Sequence, residues 1–319
     1  MLSAEGHRSL DVVVVNWNAG DQLSRCVNSV LENAPEELSR LIVVDNGSLD
    51  GSVEGVATDD RVRVLRAGSN LGFAAACNLG ARHASAAYIL FLNPDTIIGS
   101  RSLREPIAFM ESPAGADAAI CGIQLIDQDG EIARSCARFP RPGMLIARML
   151  GVDRLPGLKA RGMRMGDWDH RETRTVDQVM GAFFFVRRSV FDQLGGFDER
   201  FFMYFEEVDF SYRARNAGWR SVYLAGARAF HFGGGTSQQV KACRLFYSLR
   251  SRLLYGFKHF PRWQAWSVAA VTVVVEPVTR IAWHLSRGDI GGVCETRDAF
   301  RWLWGGLRRI ARGDGRFVT

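Results

Sequence analysis

The 319-residue chain reads as an α/β protein with a mostly parallel central sheet flanked by helices. Three observations predict this. Short aliphatic runs alternate with helix-like stretches between residues 11 and 123, and continuous apolar runs of that kind mark strands covered on both faces. The runs break into Asn, Asp, Gly or Ser, the residues that punctuate strand ends. The composition, 47% hydrophobic and 23% charged, is that of a globular chain and excludes disorder, collagen or coiled coil as the main architecture.

The elements follow in order. Residues 11–16, DVVVVN, form a β-branched strand, and 22–31 read as a helix. Residues 41–44 form a second strand ending at Asp45, and 62–65 a third. A helix pattern over 72–83 leads into the strand 88–92 and the turn Asn93-Pro94-Asp95. Residues 124–175 are irregular, with a hairpin turn at Asp129-Gly130. Within them, 138–166 are rich in Arg, Gly, Pro and Met and read as a mobile or acceptor-facing insertion. A further buried strand is predicted over 179–187, and a helix over 206–216 that closes at Gly218.

Open parallel sheets bind ligands beyond the carboxyl ends of their strands. Three such ends here carry polar groups: Asn16 and Asn18, then Asp45-Asn46-Gly47-Ser48 with Asp50, then Asn93-Pro94-Asp95. A strand-end carboxylate can accept from a pyrimidine imide, although Asp, Asn, Gly and Ser also simply make turns. One carboxylate after a buried strand suits a hard cation bridging a diphosphate. Glu206, Glu207 and Asp209 open a predicted helix behind the aromatic run 201–205. Acids there compensate the helix dipole, or, in an apolar wall, become stronger bases. His231, before a glycine triplet and two hydroxyls, is a structural histidine or a metal or anion contact. No GxxxxGK[ST] or post-strand GxGxxG is present.

Taken in order, these pieces resemble glycosyltransferase family 2. The first half runs VVNWN, VVDNGSLDGS, Asn70-Leu-Gly72-Phe73 through Asn78-Leu-Gly80, then FLNPD. The second runs Gly181-Ala182 to Arg188, Gly195-Gly196-Phe197-Asp198-Glu199, FFMYFEEVD through Arg213 to Trp219, and His231 to Ser237. The likeness spans about 11–240, and the subgroup is rhamnosyltransferase-like. It implies a GT-A nucleotide-sugar fold over 1–240, with a nucleotide-sugar half at 11–123 and an acceptor half at 124–240.

The resemblance also implies roles. Asp45 matches the nucleobase carboxylate, within a donor site of Asn16, Asn18, Asn46, Ser48, Asp50, Asn70, Gly72, Phe73, Asn78 and Asn93. Asp95 matches the last acid of a motif bridging Mg²⁺ or Mn²⁺ to the diphosphate. The motif is Asn-Pro-Asp rather than Asp-x-Asp, which makes His231 a second candidate ligand. Glu207 matches the general base, but the family's Glu-Asp pair is Glu-Glu here, so Glu206 stays a candidate. Gly196, Phe197, Asp198, Glu199 and Asp209 match the acceptor side. The implied activity is inverting, metal-dependent hexosyl transfer, with dTDP-rhamnose as donor and a saccharide or lipid-linked saccharide as acceptor, in cell-envelope polysaccharide assembly. A hydrolase with paired carboxylates would ignore nucleotide and metal, and a nucleotidyltransferase would need a basic Gly-rich phosphate loop. A catalytically inactive GT-A-fold protein serving as a membrane-bound assembly partner is the non-enzymatic alternative.

The charge of +6 divides unevenly. Residues 241–319 hold 14 basic and 5 acidic residues, 14 − 5 = +9, and the remainder 26 and 29, 26 − 29 = −3. The larger part is slightly acidic, which argues against reading the whole chain as a nucleic-acid binder; five of the eight tryptophans lie in the basic last quarter. Leu245, Leu249, Leu253 and Phe257, interleaved with Arg244, Arg250, Arg252 and Lys258, predict an amphipathic basic helix. The apolar run 265–275 has 11 residues and stops at Glu276-Pro277, which predicts two shorter helices and no spanning segment. Trp302, Trp304, Arg308 and Arg309 follow. The 241–319 extension reads as a helical subdomain packed on the catalytic core with a solvated basic face, or as a surface for an anionic membrane, which interleaved Trp and Arg beside an uncharged stretch fit better. Six scattered cysteines read as free thiols. The first ten residues hold no apolar core, so no signal peptide is expected. The expected location is cytoplasmic, peripheral to the cytoplasmic membrane, with no nucleic-acid partner.

Overall fold

A computed structural model of the protein describes residues 9–33, 36–152, 162–163, 165–233 and 241–314. The first eight residues, where a leader was not expected, lie outside these, as do 153–161 of the insertion and 234–237 after His231. The chain divides into two compact units. The first comprises Met1–Ala137, Asp169–Asp198 and Glu207–Thr236. The second comprises Arg138–Trp168, Glu199–Glu206 and Ser237–Thr319.

The strands are β1 (Leu10–Asn16), β2 (Leu38–Asp45), β3 (Val62–Arg66), β4 (Tyr88–Leu92), β5 (Thr96–Ile98), β6 (Ala118–Ile126), β7 (Cys136–Ala137), β8 (Arg174–Val176), β9 (Gln178–Val179), β10 (Phe183–Arg187) and β11 (Arg220–His231). Among the described residues, nine form one sheet in the order β3-β2-β1-β4-β10-β6-β11-β5, with β8 also on β11. The ladders make β1, β2, β3, β4, β6 and β11 run one way, and β5, β8 and β10 the other. The sheet is thus mostly parallel. Strand β1 is buried along its whole length, as a β-branched run covered on both faces must be.

The first helices of this unit are α1 (Asp21–Asn33), α2 (Phe73–Ala81) and α3 (Ser100–Glu111). Helix α1 buries Leu23, Cys26, Val27 and Val30, a stripe at helical spacing. The chain goes outward from β1 to β2 and β3, then returns to the other side of β1 with β4. That reversal leaves a crevice at the carboxyl ends of β1 and β4.

The strand expected over 179–187 is broken. β9 pairs with β7 in a separate two-stranded sheet, and β10 begins only at Phe183. Between them Met180 N–H donates to the Ser135 carbonyl, and the Ala182 carbonyl accepts from Asn93 N–H. These bonds replace ladder pairing. Part of the irregular insertion is also ordered: α4 (Pro142–Met149) starts on a proline and buries Leu145 and Met149, one turn apart. After β10 come α5 (Arg188–Gln193) and α6 (Glu206–Asn216), the latter with the bounds the sequence predicts.

The second unit is helical, with α7 (Lys241–His259), α8 (Arg262–Ala270), a π turn at Val271–Val275, α9 (Glu276–Leu285) and α10 (Ile290–Ala311). The break expected at Glu276-Pro277 does not occur. The helical segment Arg262–Leu285 is continuous over 24 residues, long and apolar enough by length and composition to cross a bilayer. Pro277 falls in the first turn after the π turn, where its missing N–H and its ring are accommodated. The basic face expected on α7 is partly internal. Arg250, 1% exposed, donates to the Arg200 carbonyl, and Arg252 pairs with Glu276. All six cysteines are free thiols, four of them buried.

Candidate active site

Strand register builds the first part of the site. Asn16 stands beside Asp45, and Asp45 beside Arg66, at the carboxyl ends of β1, β2 and β3. Asn16 Nδ2 donates to Ser48 Oγ at 2.9 Å and Ser52 Oγ at 2.8 Å. Asn18, in the left-handed region, donates its N–H to Ser48 Oγ, and its Oδ1 accepts from Leu49 N–H. Asp45 Oδ1 accepts from Ser48 N–H at 3.1 Å. Asp50 accepts from Ser52 and from Gly20 N–H. Slight burial would raise its carboxyl, but these donors outweigh that and hold it below the ordinary range.

A second loop closes against the first. Asn46 Oδ1 accepts from Leu71 N–H, and its Nδ2 donates to Asn70 Oδ1, which also accepts from Gly72 N–H. Gly47 has φ +80°, and a Cβ there would lie 2.8 Å from the Ser69 carbonyl carbon, so only glycine lets the loops meet. Most of the amides and hydroxyls expected to contact a donor are thus spent on one another. They make a fixed rim. Phe73, half-buried, starts α2 at its edge. The sequence reading missed Arg66, 61% exposed, whose Nη1 lies 3.6 Å from Asp45 Oδ2. The strand-end argument that singled out Asp45 applies equally to the last residue of β3.

The second part is the turn after β4. Asn93 N–H donates to the Ala182 carbonyl, and the Asn93 carbonyl accepts from Thr96 N–H and lies 3.6 Å from Cys26 Sγ. Burial, and the Asp95 charge nearby, push the Cys26 thiol far above its ordinary value, so it stays a protonated donor. Antiparallel pairing of β5 and β11 sets Thr96 opposite His231, and Phe232 N–H donates to the Asp95 carbonyl. Asp95 and His231 are thereby brought together. Asp95 Oδ1, buried and without a hydrogen bond, lies 3.3 Å from His231 Nε2. An orphaned buried carboxylate oxygen facing an imidazole nitrogen suits a divalent cation. No cluster of three or more His, Cys, Asp or Glu gathers among the described residues, so phosphate oxygens and water must complete any coordination.

The third part is α6. A Cβ at Gly181 would lie 3.9 Å from Glu207 Cγ, so the Glu207 side chain passes over Gly181. The next residue, Ala182, is bonded to Asn93 and lies near Thr96 Oγ1. Glu207 therefore stands beside the turn that carries Asp95, and it is half-buried. Glu206, in the second unit, is 5% exposed. The chain reaches α6 through Tyr204 and Phe205, with φ of 67° and 71°. Two successive side-chain-bearing residues there cost about 1–2 kcal/mol each, so packing over-determines the start of α6.

The acceptor-side residues divide. Asn78 spans from α2 to the backbone of Phe197, donating to its carbonyl at 2.8 Å and accepting from its N–H at 2.9 Å. The Phe197 ring is not exposed to an acceptor; it packs among Phe91, Phe184, Phe191 and Phe210. Asp209, expected on the acceptor side, is fully buried, with Oδ2 2.8 Å from Arg213 Nε. Arg213 also donates to the Leu194 and Gly196 carbonyls. These residues form a brace beneath the site. Apolar spacing hides it, because a buried aromatic core and a substrate wall use the same residue types. Asp198 is half-buried, and Glu199, in the second unit, is exposed.

Residues 11–195 match the family described as Glycosyl transferase family 2. An N-acetylglucosaminyl-diphospho-decaprenol L-rhamnosyltransferase of Mycobacterium tuberculosis is 32% identical over 80% of this chain and 87% of its own. Rhamnosyltransferase WbbL of Escherichia coli is 26% identical over 80% of this chain and 90% of its own. Among solved structures, the mannosyltransferase PcManGT of Pyrobaculum calidifontis, in complex with GDP-Man and Mn²⁺, aligns with a TM-score of 0.53 at 13% identity. The alignment covers 96% of this chain and 85% of that one, and it speaks for the fold.

Proposed function

The chain belongs to glycosyltransferase family 2, and from that membership we propose a rhamnosyltransferase that moves L-rhamnose from dTDP-rhamnose to a lipid-linked saccharide, with inversion, in cell-envelope polysaccharide assembly. One observation supports the transfer reading: Asp95 and His231 pair on the turn after β4, at the sheet edge where the Asp45 rim also lies, and Glu207 lies over Gly181, whose neighbour Ala182 is hydrogen-bonded to that turn. The relatives named for rhamnosyl transfer, one to a diphospho-decaprenol acceptor, support the sugar and the acceptor.

Each residue then has a task. The Asp45 oxygen that does not hold Ser48 accepts from the nucleobase imide, and Arg66 beside it bears on the donor's negative charge. Asp95 and His231 would hold a divalent cation, which when bound neutralises charge on the departing diphosphate. Glu207 takes the proton of the acceptor hydroxyl as its oxygen attacks the anomeric carbon. The bond from that carbon to the diphosphate oxygen breaks on the opposite face, which inverts the configuration.

The test is a panel of sugar nucleotides with a diphospho-isoprenoid acceptor carrying N-acetylglucosamine, run with and without Mg²⁺ or Mn²⁺. Rhamnosyl transfer with inverted anomeric configuration, lost in the Glu207→Gln protein, is expected. Retained configuration would refute the single displacement. Tight binding of the sugar nucleotide without turnover on any acceptor would point to the inactive partner instead.

A further inference from the structure

The helical segment Arg262–Leu285 has one covered face and, opposite it, an apolar face that is exposed. Ala265, Val268, Ala269, Thr272, Glu276 and Pro277 are buried within the second unit. The opposite stripe, Trp263, Trp266, Ala270, Val274, Val278, Ala282 and Leu285, is exposed and carries no charge. Trp263 is 72% exposed, Val274 64% and Val278 66%. Scattered exposed hydrophobics are ordinary, but a stripe following one helix for six turns marks a contact surface. Trp304 of α10 extends it, donating its Nε1–H to the Val273 carbonyl, whose i+4 residue, Pro277, has no N–H to offer. The only polar atom of Trp304 is spent there, while the side chain stays 53% exposed.

The rim of the stripe is basic. Arg262 opens the segment and Arg287 follows it, both exposed, with the Arg287 guanidinium over the Trp283 ring at 4.2 Å; α10, which brings Trp304 to Val273, also exposes Arg301 and Arg308. Trp beside Arg is the pairing of a lipid headgroup boundary. A second copy of the chain would bring like charges together, whereas an anionic bilayer meets both the apolar stripe and its rim. The segment cannot take a bilayer on all sides. Glu276 on its covered face is held by Arg252 of α7 and by Arg280 at 2.8 Å, and Thr272 accepts from Arg252 at 3.1 Å. Crossing would carry that ion pair toward the hydrocarbon centre, where charge is costly.

We infer that Arg262–Leu285 lies in the plane of an anionic membrane surface, inserting Trp263, Trp266, Val274, Val278 and Leu285 while α7 and α10 hold its other face. This goes beyond the transfer reading, and its test does not use activity. The full chain is floated with vesicles of phosphatidylcholine alone and of phosphatidylcholine containing phosphatidylglycerol. It partitions onto the anionic vesicles, less at high salt, and is released by alkaline carbonate. The Trp263→Ser/Val274→Ser/Val278→Ser protein, altered only at exposed positions, keeps its melting temperature and partitions roughly tenfold or more weakly. Arg262→Gln/Arg287→Gln/Arg308→Gln removes the preference for phosphatidylglycerol. Three results would overturn the inference: no flotation, flotation unaffected by the triple substitution, or retention through carbonate. A dimer in buffer that the serine substitutions abolish, without flotation, would assign the stripe to a second copy.

Discussion

The Asp95 carboxylate and the His231 imidazole stand 3.3 Å apart, Oδ1 to Nε2, set by the antiparallel ladder of β5 and β11. The turn after β4 is Asn-Pro-Asp rather than Asp-x-Asp, and no cluster of three or more His, Cys, Asp or Glu gathers among the described residues, so this pair is what the turn offers a cation. Replacing either one therefore weakens metal use before it affects the fold. Asp95→Asn and His231→Gln should each raise the Mn²⁺ concentration for half-maximal activity by roughly 10- to 100-fold. Unchanged metal titration in both would remove the pair from that role.

Glu207, over Gly181 and beside the Asp95 turn, is the base in the proposed displacement. Glu207→Gln should lower kcat by on the order of 100- to 10,000-fold with donor affinity kept. Glu206→Gln should cost far less. The reverse ranking, read from steady-state rates of the two proteins, would transfer the role to Glu206.

Gly196 has φ +73°, and a Cβ there would lie 2.7 Å from Asn78 Oδ1. Gly196→Ala should destabilise the protein by about 1–3 kcal/mol. Shortening Asn78 removes the clash but also the clamp on Phe197, so Asn78→Ala/Gly196→Ala should be more stable than the sum of the single losses. Strict additivity in urea unfolding would contradict this coupling.

Burial alone would raise the Glu276 carboxyl, but Arg252 and Arg280 outweigh it and hold the group below the ordinary carboxylate range. A depressed value in the folded state means the unfolded chain binds the proton more readily. The stabilisation is complete above the unfolded value of about 4.3 and drains away as pH falls below it. Glu276→Gln, which leaves Arg252 buried without its charge partner, should cost on the order of 3 kcal/mol at neutral pH. Thermal melts across pH 3–7 should then show a smaller loss at the acid end than the parent protein. An identical acid slope in both would show that this pair does not govern it.

Arg66 beside Asp45 gives a further test at the donor rim. Arg66→Ala should weaken sugar-nucleotide binding roughly tenfold, measured by calorimetry, with a smaller change for the free nucleoside. Equal losses for both would show that it does not read the diphosphate.

Much of this protein was legible in the chain itself. The run 11–16 could only be a buried strand, because its valines have no polar alternation to spend on solvent. The strand-end positions of Asp45, Asn93 and Asp95 followed from apolar runs that break into turn residues, and α6 from its acids and its closing glycine. Tertiary structure decided what is long-range or depends on packing. It placed His231 against Asp95 and Glu207 over Gly181, and it committed Asn78 and Asp209 to a brace rather than a substrate. It also turned Arg252 inward to Glu276 and carried a helix through Pro277 by way of a π turn. The physical reason is the same in each case. Local propensity and periodicity say which residues will be strand, helix or turn, whereas a carboxylate's role depends on which partner, at what distance, another part of the chain brings to it.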